Sequence, residues 1–217
     1  MAAIPFSRGP MRTQSWTTKN VACGVHSQDR VAIHVHDGIT LVVLADGAGG
    51  MAGGGEAAQA VLDARSAWSL RQALESSGTA CVHWLQAIDR MLATSPAGGQ
   101  CTAIVAVIDG VRIVGASVGD SEAWLVESGS VRDLTEHQHR KPLVGSGRAT
   151  AIPFAAACVG ARLLVASDGL FKYTTRERIV DAVHLSDLND AIRTLVESVR
   201  LRSGALQDDI SIALIET

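Results

Sequence analysis

The sequence has no Cys-x-x-Cys pair, no Gly-Lys-Ser/Thr, no block of like charge and no long apolar run. Each absence removes a class of function. The four cysteines, Cys23, Cys81, Cys101 and Cys158, are scattered, so the spacing encodes neither a zinc ribbon nor a disulfide framework. Reduced core thiols in a cytoplasmic protein are expected. A net charge of −3 over 217 residues provides no general attraction to nucleic acid or to an anionic membrane. The longest apolar run is six residues, far below the roughly 20 that cross a bilayer. The opening residues, MAAIPFSRGPMR, lack the apolar core of a signal peptide, so export is not expected. Without Gly-Lys-Ser/Thr there is no P-loop.

What is there reads as one globular domain. Hydrophobic residues make up 47% and charged residues 19%, enough to build a core and too apolar for disorder. Residues 1–12, broken by Pro5, Gly9 and Pro10, are expected to be a flexible tail, leaving 13–217 as a single domain. A first strand is expected within 13–23. Residues 30–36 alternate, with Val31, Ile33 and Val35 on one face and Ala32, His34 and His36 on the other. The His34/His36 pair has chelating spacing, but a solvated strand face explains it better. Asp37-Gly38 is a hairpin signal leading into ITLVVLA. Helical spacing covers 56–74 and 79–93. Strands over 102–108, 111–118 and 122–127, joined by tight turns, predict an antiparallel meander. Residues 134–157, rich in Gly, His, Arg and Pro, are expected to form a mobile surface loop. A strand at 162–167, helices at 175–183 and 188–201, and a strand at 210–215 complete the chain. Trp68, Trp84 and Trp124 read as packing residues. Strands and helices in separate blocks predict an α+β fold, with two antiparallel sheets packed face to face as a central β-sandwich and helices on both outer faces.

The chemistry lies where strands stop. ITLVVLA ends on Asp46-Gly47, LLVAS on Asp168-Gly169, and the run from Val111 to Gly119 on Asp120-Ser121. Two further strands are preceded by acids: VAIHVH by Asp29, and ISIALIE by Asp208-Asp209. Antiparallel pairing would bring all of them to one sheet edge. Two carboxylates about 4 Å apart repel by roughly 4 kcal/mol at an effective dielectric near 20. Such a cluster either holds protons or binds cations. Ligands that are all oxygen favour hard ions, Mg²⁺ or Mn²⁺.

The glycine-rich stretch after Asp46 has a rival reading. Gly47-x-Gly49-x-x-Ala52 fits a dinucleotide fingerprint, making 46–55 a candidate nucleotide-binding loop. An acid immediately before the first glycine would repel a pyrophosphate, and no parallel βαβ pattern follows. The Asp-Gly pairs at Asp37 and Asp109 read as plain hairpin turns.

In order along the chain stand QDR (28–30), ADGAGG (45–50), GGQCTAI (98–104), SVGDSEAWLV (117–126), LTEHQH (134–139), ASDGLF (166–171) and DDISIAL (208–214). This succession, over roughly residues 20–216, resembles the metal-dependent PP2C-type protein phosphatases, in their compact bacterial form. The resemblance implies hydrolysis of phosphoserine and phosphothreonine in proteins, opposing a partner kinase, with two Mn²⁺ or Mg²⁺ ions and a place for a third. It implies that Asp46 bridges the two ions, that the Gly47 carbonyl adds a ligand, and that Asp168 and Asp208 complete the first ion. Asp29 would stand in the outer shell or assist the second ion, and Asp120 would take the third, weaker ion. A metal-bridging hydroxide would attack phosphorus in line, without a phosphoenzyme. A monomeric cytoplasmic protein is expected.

Three departures bear on activity. Members commonly carry an Arg five residues before Asp29, where it holds substrate phosphate; here that position is Gly24. His26 or Arg30, or a loop cation such as Arg140, Lys141 or Arg148, are the substitutes on offer. Ala48 stands where many eukaryotic members place a His, and Gln28 replaces the frequent Glu. These leave a weakly active or inactive regulatory module as the alternative to an active phosphatase.

Overall fold

The computed structural model describes residues 14–48, 53–64, 69–96 and 98–217. The expected tail, Trp68 and Gly49 to Ala52 of the glycine-rich loop lie outside them. Among the described residues the strands form two five-stranded sheets, antiparallel throughout. One has the order β1 (Trp16–Val21), β10 (Ile210–Glu216), β9 (Arg162–Ala166), β6 (Glu122–Glu127), β7 (Ser130–Asp133). The other has the order β2 (Arg30–His36), β3 (Ile39–Ala45), β4 (Ala103–Ile108), β5 (Arg112–Val118), β8 (Ile152–Ala157).

The apolar runs explain the layering. Successive strand side chains point to opposite faces, so a strand covered on both sides must be apolar throughout. In β3, Leu41, Val43 and Ala45 join one buried cluster with α1 (Gly54–Asp63), α2 (Leu70–Glu75) and α3 (Thr79–Ala93). Val42 and Leu44 join another, between the sheets, with Leu125, Leu163, Val165 and Ala213. On the far side, Leu164, Ala166, Ile212 and Leu214 pack beneath α5 (Arg176–Val183) and α6 (Leu188–Ser198). The α+β sandwich with helices on both outer faces is therefore present. A single turn, α4 (Asp168–Phe171), follows β9.

Local chemistry accounts for most boundaries. Asp37 and Gly38 both take positive φ, 50° and 71°, the geometry of a tight hairpin turn that matches strand twist. Thr175 and Asp187 cap α5 and α6, their side-chain oxygens accepting N–H groups of the first turn.

Three expectations need correction, and two short elements were not foreseen. The helix over 56–74 is two helices: α1 ends at Asp63, and α2 starts afresh behind Ser69, whose side chain accepts from the Gln72 N–H. The meander holds only for β4 and β5, because β6 crosses to the other sheet. Strand β7 and the turn of α4 are too short to show a period. Finally, 134–157 is not simply a surface loop. Ile152–Ala157 is strand β8, paired with β5, and the segment before it is pinned from α3. Asp89, buried in α3, accepts the N–H groups of Gly145 (2.8 Å) and Gly147 (2.9 Å) at Oδ1 and of Ala149 (3.0 Å) at Oδ2.

Candidate metal centre

Strand direction delivers the acids. In the β2–β3 hairpin Arg30 is opposite Ala45, so Asp29 and Asp46 are the next residues at the same end. In the other sheet Ala166 is opposite both Ile212 and Glu122. Asp168 thus follows β9 while Asp208 and Asp120 precede β10 and β6, all at one edge. Two sheets and five strand ends converge there.

The turn after β3 is held by the segment 98–104. The Ala48 N–H donates to the Gln100 carbonyl and the Thr102 N–H to the Asp46 carbonyl, both at 2.8 Å. The Asp46 N–H donates to Thr102 Oγ1 at 3.1 Å, and that hydroxyl shares a buried 2.7 Å hydrogen bond with Ser121. Gly47 is obligatory by close approach: a Cβ there would stand 2.6 Å from the Gly54 carbonyl carbon. Gly169 is similar, since its Cβ would fall 2.0 Å from the Asp209 carbonyl oxygen. The two Asp-Gly motifs therefore differ from the hairpin at Asp109, where a Cβ on Gly110 would meet only Gln14 Nε2 at 3.7 Å.

Asp209 has a separate task. Its carboxylate accepts the Cys23 N–H at 2.8 Å and the Gln28 N–H at 2.7 Å, docking the loop that carries Asp29. Of the two predicted phosphate ligands, Arg30 is committed elsewhere. Its guanidinium donates to the Ser27 and Asp29 carbonyls (2.8 and 2.7 Å) and to Gln59 Oε1 (3.0 Å). His26 lines an open groove of about 600 Å³ with Gln28, Glu56 and Gln59. Arg140 reaches Asp120, Nη2 to Oδ2 at 2.6 Å.

The profile of the protein phosphatase 2C family matches residues 18–207. The chain belongs to the protein phosphatase 2C family. Solved structures agree on the fold. A variant of a bacterial serine phosphatase is 20% identical over 94% of this chain and 97% of its own, with a TM-score of 0.79. The serine/threonine phosphatase Stp1 from Staphylococcus aureus is 17% identical over 100% and 99%, at 0.77. The catalytic domain of the serine/threonine protein phosphatase PstP, in complex with two manganese ions, is 21% identical over 94% and 97%, at 0.75. No curated protein matches the sequence significantly. Family membership makes this a metal-dependent serine/threonine phosphatase. Among the described residues both sheets are antiparallel, so the rival dinucleotide reading finds no parallel βαβ unit there.

The electrostatics of this phosphatase 2C site are those of crowded acids. Burial, and then the neighbouring Asp29, push the Asp46 carboxyl far above the usual carboxylate range. Asp29 is also raised, by burial first, although Ser167 and Asp46 partly stabilise its charge. Burial raises Asp168 in spite of its bond to Lys172. Among the described residues no group of three or more Asp, Glu, His or Cys side chains is placed to hold a metal ion by itself. A small hard cation does not require one, because it keeps several waters and takes one or two carboxylates. The donors fit such an ion. They are all oxygen, and Asp29 Oδ2 and Gln28 Oε1 are buried with no hydrogen-bond partner among the described residues.

Sequence reasoning passed over Lys172, Thr102 and Ser121. The first could have been found from its spacing four residues after Asp168; the other two carried no signal beyond their place in motifs.

Proposed function

We propose that this phosphatase hydrolyses phosphoserine and phosphothreonine in protein substrates through a pair of divalent cations gripped by Asp46, Asp168 and Asp208. The Gly47 carbonyl adds a ligand, Asp29 supports from the outer shell, and Asp120 serves a third ion. When bound, Mn²⁺ or Mg²⁺ lowers the pKa of a water and neutralises charge on the phosphoryl oxygens. The chain's own part is to hold the acids still. Thr102 fixes the Asp46 backbone, and Ser167 Oγ, accepting the Ser211 N–H at 2.9 Å, ties β9 to β10 beside Asp168. Asp209 docks the loop of Asp29.

The observation that supports this reading best is the arrival of Asp29, Asp46, Asp168 and Asp208 at one edge from separate strand ends. Residues 13–217 act as one catalytic domain. The groove beside His26 and Arg30 is the proposed approach for the phosphorylated segment. The further expectation is a monomer opposing a cognate kinase in a cytoplasm, without nucleic-acid or membrane partners; no helix among the described residues is long and apolar enough to cross a membrane.

The decisive experiment is turnover of a phosphothreonine peptide as Mn²⁺ is titrated. Saturable, metal-dependent release of phosphate, lost in Asp46→Asn and Asp168→Asn variants that still fold, supports the assignment. Undiminished rates in those variants would eliminate it.

A further inference from the structure

Lys172 is the cation that the family motifs did not announce. It caps α4, four residues after Asp168, so its side chain returns over the same helical face. Its ammonium donates to Asp168 Oδ2 and lies 3.8 Å from Asp208 Oδ2. It therefore bridges two of the three acids assigned above to the metals. It is not sealed in: the Lys172 side chain is 44% exposed, against 14% for Asp168. Nor do other cations crowd it out, since Arg140 is engaged with Asp120 and Arg30 with carbonyls and Gln59.

We propose that Lys172 is a resident competitor for the metal centre: its ammonium binds the Asp168 and Asp208 carboxylates, and a divalent cation binds only by displacing it. This rests on the metal reading above. The acids cannot give the same oxygens to an ammonium and to a dication, and the two positive charges repel at contact distance. A flexible four-carbon stem with a solvent-facing side lets the ammonium leave without refolding α4. The residue thereby raises the metal concentration the site needs, while in metal-free protein it offsets repulsion between Asp168 and Asp208.

The test is calorimetric titration of the full chain with Mn²⁺, together with thermal melts in chelator and in saturating Mn²⁺. Lys172→Gln and Lys172→Ala should bind Mn²⁺ about tenfold more tightly than wild type, the scale of a partly exposed ion pair plus ammonium–metal repulsion. Both should melt lower than wild type in chelator and no lower in Mn²⁺. Lys172→Arg should keep wild-type or weaker affinity. Unchanged or weakened Mn²⁺ affinity in both Gln and Ala variants overturns the inference. Asp168→Asn, titrated alongside, separates the two levels: wild-type Mn²⁺ affinity there would sink the metal reading itself, whereas its loss with unaltered Lys172 variants sinks only the competition.

Discussion

Asp29, buried, and Asp46, half-buried, meet at the open end of one hairpin, each one residue beyond the Arg30–Ala45 register pair. Antiparallel pairing forces that meeting: one acid begins a strand and the other ends its neighbour. Removal from water, and for Asp46 the neighbouring Asp29 charge, raise both carboxyls above the ordinary range.

A pH dependence of the metal-free protein follows. For an acid whose folded pKa is raised, the folded state binds more protons than the unfolded chain, so stability falls as pH rises above the ordinary carboxylate value of about 4. Melts of chelator-treated protein should shift downward from weakly acidic to alkaline pH. Asp46→Asn, which resembles the protonated acid, should flatten that slope while abolishing turnover. A slope unchanged by the substitution would remove the pair as its source.

Thr102→Val should disturb the metal centre without touching a ligand. The Thr102 hydroxyl accepts the Asp46 N–H and bonds Ser121, so its loss frees the Asp46 turn. Loss of an outer-shell partner of this kind weakens metal binding by about 10–100-fold. Mn²⁺ titration reads the effect, and Thr102→Ser should restore most of it.

Gly24 is a place where phosphate capture can be added. A Cβ there meets no atom within 4 Å, and the loop is anchored nearby through Cys23 and Gln28 on Asp209. Gly24→Arg should lower KM for a phosphothreonine peptide by about tenfold, the worth of a charge-assisted phosphate contact, with kcat little changed. A KM that does not move shows that the loop does not face the substrate phosphate.

Asp89 should prove structural. It satisfies three N–H groups in the segment leading to β8. Replacing a buried charged acceptor costs about 2–3 kcal/mol, so Asp89→Asn should lower Tm by roughly 4–12 °C for a chain of this size. Hydrogen exchange should accelerate at Gly145, Gly147 and Ala149. An Asp89→Asn protein that melts like wild type would refute the role.

The contrast between Asp89 and Asp46 shows what could be read without coordinates. Asp46 ends an apolar run, and the two-residue period of the strand tells that it sits at a sheet edge. Asp89 lies mid-helix among Ile88 and Leu92, where periodicity says nothing of the loop it grips. The 134–157 segment misled for the same reason. Its backbone donors are satisfied by a side chain about 56 residues upstream, a long-range bond with no local trace. The helix over 56–74 failed more simply, because helical spacing persists on both sides of the Ser69 cap.

Sequence alone determined the sandwich, since strands covered on both faces must be apolar at every position, and it determined that acids stand at strand ends. Tertiary structure decided which groups those acids face: Thr102 and Ser121 behind Asp46, Asp209 beneath the Asp29 loop, and the Lys172 ammonium between Asp168 and Asp208. Periodicity is a property of neighbours along the chain. Partnership between charges depends on distances across it, which only folding sets.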